Sequence, residues 1–155
     1  MRKYFAKHAF SAATFGDLLD ALTAASGKDV RAWSKLWFET AGVSLVSVER
    51  NASGVVLRQI SSADTSVQEV IRPHLLKLSA WNIGADGVLE RAASVDVELL
   101  DELRIPWSDL GVLNGKQPDA ILPNDGALSY LKIGFDNASR HAFWRMMLMI
   151  RFLVR

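Results

Sequence analysis

The spacing of the apolar residues changes near residue 43, and this change constrains the fold more than any other feature of the chain. Before it, apolar residues recur at helical intervals, namely at Phe15, Leu18, Leu19 and Leu22. Such spacing forms the apolar stripe of an amphipathic helix. After it, apolar and polar residues alternate, as in strands that bury one face. The sequence therefore predicts an α+β fold with a short N-terminal helical segment, an antiparallel β-sandwich and a helical C-terminal tail.

Short local signals indicate where the first amphipathic helix begins and ends. Thr14 is expected to cap its N-terminus, with Asp17 three residues further on, near the positive end of the helix dipole. Gly27 is expected to end the helix, because glycine adopts the left-handed conformation without steric cost. The segment before residue 43 therefore contains at least one helix with defined ends.

A second helix follows after a short link, and the two should pack antiparallel. Asp29 is the predicted N-cap of this helix, and Gly42 is its predicted end. Its apolar stripe consists of Trp33, Leu36 and Trp37. Large aromatic side chains at helical spacing usually pack into a core, so we expect the two tryptophans to be buried.

Residues 43–136 contain six or seven short apolar segments separated by turn signals, which is typical of an antiparallel sandwich. Turns are predicted at residues 51–54, at Asp86-Gly87 and at residues 124–126. The last of these precedes a predicted final strand through Leu128, Tyr130, Ile133 and Phe135. Proline cannot donate to a central ladder, so edges or loops are predicted at Pro106, Pro118 and Pro123.

Several of these stretches together resemble the aminopeptidase N family, the M1 zinc exopeptidases, and in particular their actinobacterial members. The resemblance covers residues 3–136 and is carried by Asp17-Leu18-Leu19, Ser26-Gly27, the Trp33/Trp37 pair, Glu39-Thr40-Ala41-Gly42-Val43, Arg72-Pro73-His74-Leu75, and residues 117–125 and 128–133. It implies that residues 1–42 end a catalytic domain and that residues 43–136 form the following β-sandwich domain. Residues 137–155 depart from the family pattern as an atypical basic, apolar tail.

The resemblance also implies a function that this chain does not carry alone. Members of the family bind zinc through an HExxH motif with a more distant glutamate, hold the substrate amine with a GAMEN-type loop, and remove N-terminal residues from peptides. Neither motif occurs in the sequence. We therefore expect a fragment with no catalytic, cofactor-binding or metal-binding residues, inactive by itself. The alternative is a non-catalytic β-sandwich interaction module that self-associates through exposed domain interfaces.

The histidines and the paired carboxylates are candidate site residues, but a structural or solvated role explains them better than catalysis or metal binding. The three histidines, His8, His74 and His141, lie in no zinc-binding pattern and are expected to be structural or exposed. Paired carboxylates can perform acid–base catalysis when burial separates their pKa values. The two pairs in this chain, Asp17 with Asp20 and Asp101 with Glu102, are expected to be solvated instead.

The net charge and the cysteine content indicate which partners and which cellular location to expect. The formal net charge of +1 gives no indication of a nucleic-acid partner. The chain has no cysteine, which fits a reducing compartment, and its start lacks the apolar run of a signal peptide. These features favour a cytoplasmic location.

The tail differs from the rest of the chain in its charge. After Asp136 there is no acidic residue, whereas four arginines occur: Arg140, Arg145, Arg151 and Arg155. Its apolar run is shorter than the roughly 20 residues that cross a bilayer. We interpret the tail as a truncated or frame-shifted end. A membrane-surface helix, which the arginines and Trp144 would favour, is the alternative.

Overall fold

The computed structural model describes residues 2–60, 70–112 and 116–153. The chain divides into two compact units, Met1–Ala41 and Gly42–Arg155. In the described residues, the first unit is helical, and the second contains seven strands and a C-terminal helix. The predicted α+β class is therefore confirmed.

The described part of the helical unit contains three short helices: α1 (Arg2–Lys7), α2 (Phe15–Ser26) and α3 (Val30–Phe38). The predicted caps at Thr14, Gly27 and Asp29 are confirmed. The Thr14 side chain accepts a hydrogen bond from the Asp17 backbone, and the Asp17 side chain accepts one from the Thr14 backbone. Gly27 ends α2 with a φ of 69°, and Asp29 accepts from the first turn of α3. Local sequence therefore places the starts of α2 and α3 and the end of α2.

The end of α3 was predicted wrongly. The helix stops at Phe38, with Glu39 as its C-cap, and not at Gly42. The Thr40 hydroxyl donates to the carbonyl of Leu36, which is the acceptor that the next helical amide would need. Gly42 has a φ of 93° and lies beyond the helix.

Few side chains of the helical unit are enclosed. Among residues 2–41 the buried ones are Leu19 and Ser34. Trp33 is 43% exposed and Trp37 is half-buried, so the expectation of a buried tryptophan pair is wrong for Trp33. Three helices of 6, 12 and 9 residues offer too little surrounding surface to enclose an indole ring.

The strands of the second unit, as far as the structure describes it, are β1 (Leu45–Arg50), β2 (Gly54–Ile60), β3 (His74–Ile83), β4 (Leu89–Leu99), β5 (Glu102–Pro106), β6 (Ala120–Leu122) and β7 (Lys132–Gly134). They form two sheets, with strand orders β5-β2-β1-β7 and β4-β3-β6. All neighbouring strands among these are antiparallel except β1 and β7, which are parallel. The predicted sandwich is confirmed, with one parallel pair that was not expected.

Both sheets contribute to one apolar core, whose fully buried members include Val46, Val55, Leu57, Leu76, Leu78 and Ile121. A 3-10 helix, Trp107–Leu110, adds Trp107 to this core, and its indole N–H donates to the carbonyl of Asn51 over 3.1 Å. Gly54 lies where β2 meets β5, and a Cβ atom there would come within 2.0 Å of the Ile105 carbonyl oxygen. That close approach requires glycine.

The prolines lie at the predicted edges and loops. Pro106 is the last residue of β5, an edge strand, and Pro123 directly follows β6, the edge strand of the other sheet. Pro118 lies between elements, before β6. None of the three interrupts a ladder with strands on both sides, as their missing amide requires.

The predicted final strand through Leu128 and Phe135 is wrong in length. Only Lys132–Gly134 is a strand in this described stretch, and Leu128 and Tyr130 are exposed. The Asn124 side chain donates to the carbonyl of Ser129 over 2.7 Å and accepts from its amide over 3.0 Å. These bonds occupy the backbone groups of Ser129 that a neighbouring strand would use. The chain therefore forms a loop here and becomes a strand only at Lys132, where it pairs with β1.

The tail forms the predicted helix, α4 (Asn137–Leu153). Its first turns pack on the second sheet: Ala142 is buried with Leu89 and Ala120, and Phe143 and Met146 pack beside them. No helix in the described part of the chain has the length and apolar content that a bilayer crossing requires.

Candidate functional site

The three histidines lie on different elements. His8 follows α1, and its ring centroid lies 5.1 Å from that of Tyr4, with the two rings tilted by 43°. His74 is buried at the start of β3, where burial and then the charge of Arg72 lower its pKa. His141 is exposed on α4. Within the described residues, no group of three histidines or carboxylates could hold a metal ion.

The carboxylates of α2 hold local structure. Asp17 accepts from the hydroxyl of Thr14 over 2.7 Å and from its amide over 2.8 Å, and these bonds lower the pKa of Asp17. Asp20 pairs with Arg31 of α3 at 2.7 Å. The first carboxylate therefore caps α2, and the second links α2 to α3.

The two residues of the second carboxylate pair, Asp101 and Glu102, make different contacts. Glu102 on β5 accepts from Arg58 on β2 at 2.7 and 3.0 Å, and its other oxygen lies 2.6 Å from Arg104. The hydrogen bonds from Arg58 lower the pKa of Glu102. The backbone carbonyl of Asp101 accepts from the amide of Gln59. Glu102 is thus part of an ion-pair network across the strands, which favours a structural role.

Three enclosed polar side chains form a group that we call the polar clamp: Arg50, Asp136 and Ser139. Arg50, at the end of β1, lies 3.0 Å from Asp136, and both side chains are 11% exposed. The guanidinium also donates to the hydroxyl of Ser139 over 2.8 Å and to the carbonyl of Pro118. Buried charges are stable when paired and hydrogen-bonded in this way.

The polar clamp attaches α4 to the sandwich. Asp136 accepts from the amide and the hydroxyl of Ser139, so it caps the start of α4. The Ser139 hydroxyl in turn accepts from the amide of Ile121, the central residue of β6. Sequence reasoning missed this group, although Asp136 three residues before Ser139 is a recognisable helix-start pattern.

The buried side chain of Gln59 forms a second network of structural hydrogen bonds. Its side-chain oxygen accepts from the Ser44 hydroxyl over 2.8 Å and from the Arg72 amide over 2.9 Å. Its side-chain nitrogen donates to the carbonyls of Arg72 and Leu100. The amide group therefore uses both donors and both acceptor sites, as a buried amide must.

An exposed aromatic surface lies on α2 and α3, and we call it the aromatic face: Phe15, Trp33 and Phe38. The ring of Phe38 lies 5.8 Å from that of Phe15 and 5.7 Å from that of Trp33, both edge to face. Phe15 is 54% exposed and Phe38 is 66% exposed. Clustered exposed rings are characteristic of surfaces that bind other protein segments.

Known proteins similar to this chain are aminopeptidases. Aminopeptidase N of Streptomyces lividans is 34% identical over 149 residues, which cover 90% of this chain and 17% of that protein. Aminopeptidase 2, mitochondrial, of Saccharomyces cerevisiae is 33% identical over 105 residues, or 62% of this chain and 11% of that protein. The yeast alanine/arginine aminopeptidase is 30% identical over 118 residues, or 71% of this chain and 14% of that protein. No protein-family model matches the chain.

This chain belongs to the aminopeptidase N family. The predicted resemblance is confirmed, and the Streptomyces relative agrees with the actinobacterial type. The chain spans about 17% of the length of that relative and 11% of the first yeast one. It therefore corresponds to a segment of an aminopeptidase N protein.

In this segment of the aminopeptidase N family, the polar contacts described above join structural elements to one another. The polar clamp joins α4 to β1 and β6, and Gln59 joins β2 to two loop segments. The absence of catalytic residues from the chain stays a prediction, as does the division at residues 42 and 136.

Proposed function

We propose that this chain is the part of an M1-type zinc aminopeptidase that ends the catalytic domain (residues 1–42) and continues through the β-sandwich (residues 43–136). The observation that supports this proposal is the similarity to aminopeptidase N over 90% of the chain. The helix-then-sandwich order agrees with the domain order that the family implies.

The proposed role is structural support, and the segment alone is inactive. In the whole enzyme, a bound zinc ion would supply an activated water for attack on the N-terminal peptide bond. The sequence has no HExxH motif, and the donor groups of the described residues do not fit a zinc site with three protein ligands. We therefore assign no catalytic step to this chain. Peptide substrates and the cytoplasmic location remain proposals for the whole protein.

The structure of each unit is compatible with this role. The sandwich has a closely packed apolar core and the internally satisfied Gln59, which suit a rigid spacer between the catalytic domain and a following helical domain. The aromatic face is the surface that we expect to pack against other parts of the catalytic domain. Its rings then gain the burial that they lack within the helical unit.

Hydrolysis of an aminoacyl chromogenic substrate by the purified chain tests the inactivity. We expect no hydrolysis above the uncatalysed rate, with or without added Zn²⁺. Full-length aminopeptidase N of Streptomyces lividans is the positive control, and its activity should disappear with a zinc chelator. Chelator-sensitive hydrolysis by the purified chain would contradict the proposal.

A chimera tests the structural role. In it, this chain replaces the matching segment of the Streptomyces lividans enzyme. We expect the chimera to fold and hydrolyse the same substrate. The matched variant carries Phe38→Ser in the aromatic face, and we expect it to lose activity while Tyr130→Ser, at an exposed loop position, keeps it. A chimera that folds but is inactive would contradict the proposed equivalence.

The aromatic face also supports a second candidate function, a non-catalytic interaction module that self-associates. Light scattering over a concentration series tests it, because self-association through exposed rings depends on concentration. Oligomers that disappear with Trp33→Ser and persist with Tyr130→Ser would favour this function. A monomer at all concentrations would contradict it.

A further inference from the structure

The outward side of α4 combines cationic and large apolar side chains, and we call it the cationic face: Arg140, Trp144, Arg145, Met147 and Leu148. Trp144 is 61% exposed, Met147 is 58% exposed and Leu148 is 40% exposed. Both arginines are exposed as well. Trp144 and Leu148 are four residues apart, so they lie one above the other on the helix.

The opposite side of α4 is attached to the sandwich, which gives the cationic face a defined orientation. Ser139 and Ala142 are buried there, and Phe143 and Met146 pack on the second sheet. The polar clamp holds the first turn of the helix. The cationic face is therefore presented by a docked helix and does not depend on the helix forming at the time of binding.

We propose that the cationic face binds an anionic lipid surface, with α4 lying parallel to it. Tryptophan and aliphatic side chains enter the boundary between headgroups and acyl chains, while flanking arginines contact anionic headgroups. Residues 137–155 contain no acidic side chain that would oppose this attraction. A polyanion such as nucleic acid would pair with the arginines but would leave Trp144, Met147 and Leu148 in water, so lipid is the better complement.

The proposal is independent of the aminopeptidase role and is tested with the full chain. The probes are vesicles of phosphatidylcholine mixed with phosphatidylserine, and vesicles of phosphatidylcholine alone. We expect cosedimentation with the mixed vesicles at low ionic strength and little with the neutral ones. A blue shift of tryptophan fluorescence should accompany binding and should be lost in Trp144→Phe.

Two double variants distinguish contact by the cationic face from attraction by the overall charge of the chain. R140Q combined with R145Q should weaken binding about 25-fold, because each basic residue near an anionic surface contributes about fivefold. K28Q combined with K116Q removes the same charge at exposed positions outside α4 and should weaken binding much less than the arginine pair, because direct contact with the headgroups supplies most of the attraction. Likewise, Trp144→Ser should weaken binding and Tyr130→Ser should not. Circular dichroism verifies that each variant is folded.

Three outcomes would overturn the proposal. The first is no binding to mixed vesicles at low ionic strength. The second is an equal loss in the arginine and lysine pairs, which would indicate attraction by overall charge. The third is a vesicle-independent oligomer that Trp144→Ser dissolves, which would assign the face to a second copy of the chain.

Discussion

The two units of this chain enclose apolar side chains to very different extents. In the sandwich, Leu57, Leu76 and Leu78 have no exposed surface. In the helical unit, Leu19 is the buried apolar side chain among the described residues, while the rings of Phe15 and Phe38 are more than half exposed. Burial of apolar area is the main stabilising contribution to folding. We therefore expect the sandwich to be stable by itself and the helical unit to depend on a neighbouring surface.

The largest expected change in stability comes from a substitution in the core of the sandwich. Leu76→Ala should destabilise the chain by about 3 to 4 kcal/mol, because it removes a fully buried side chain and leaves a cavity. The preceding residue, Leu75, is 55% exposed on the other face of β3, so Leu75→Ala should cost about 0.5 kcal/mol or less. Urea unfolding measures both.

A leucine-to-alanine substitution in the helical unit tests whether the two units unfold independently. Leu18 is half-buried in α2, and Leu18→Ala should leave the unfolding transition of the sandwich unchanged. A shift of that transition as large as the one from Leu76→Ala would show that the two units unfold together.

The next effect concerns the polar clamp. Arg50→Met should cost about 2 to 3 kcal/mol, because it leaves the enclosed carboxylate of Asp136 without its cation. Adding Asp136→Asn should restore part of this loss, since asparagine removes the unpaired charge and still caps a helix. Arg104→Met, at a side chain that is 71% exposed, is the control. Equal unfolding midpoints for Arg50→Met and Arg104→Met would contradict the role of the clamp.

A smaller effect is expected in the helical unit. Thr14→Ala removes the capping box of α2 and should cost that helix about 1 kcal/mol. Hydrogen exchange should then accelerate in α2 while the amides of β2 and β3 exchange as before. The control is Ser11→Ala, because the Ser11 hydroxyl donates to the carbonyl of His8 and takes no part in the cap. It should leave exchange in α2 unchanged. Faster exchange in the strands after Thr14→Ala would mean that the helical unit supports the sandwich.

The smallest effect is a pH dependence on the surface of the sandwich. The hydrogen bonds from Arg58 hold the pKa of Glu102 below its ordinary value of 4.5. A lowered pKa means that the ionised carboxylate favours the folded chain above pH 4.5, and that this advantage disappears as the pH falls through the lowered pKa. Glu102→Gln should therefore reduce stability slightly at neutral pH and not in acid.

Unfolding midpoints measured over a pH series test this dependence. Glu98→Gln, an exposed position on β4, removes the same charge outside the ion-pair network. If both variants change the pH profile equally, the effect belongs to net charge and not to the contact with Arg58.

Predictions from the sequence succeeded where the deciding contacts lie within a few residues. The caps at Thr14, Gly27 and Asp29 were predicted correctly, since each bonds a backbone group at most four positions away. The sandwich followed from alternating apolar residues. The end of α3 was missed because a threonine hydroxyl competes for a helical carbonyl, which the position of a later glycine does not reveal.

The features that were missed depend on residues far apart in the chain. The parallel pairing of β7 with β1 joins residues more than eighty positions apart. The polar clamp likewise unites a strand end near residue 50 with a helix start near residue 136. Hydrophobic periodicity indicates which face of an element is buried but not which distant element covers it.

Residue patterns along the chain were sufficient to predict the α+β class, the caps at Thr14, Gly27 and Asp29, and the family, because these depend on local backbone preferences and on residue identity. The parallel strand pair, the enclosed charges and the exposed aromatic rings became apparent in the folded structure alone. These outcomes depend on how much surface the neighbouring elements provide. That surface is ample around the core of the sandwich and scarce around three short helices.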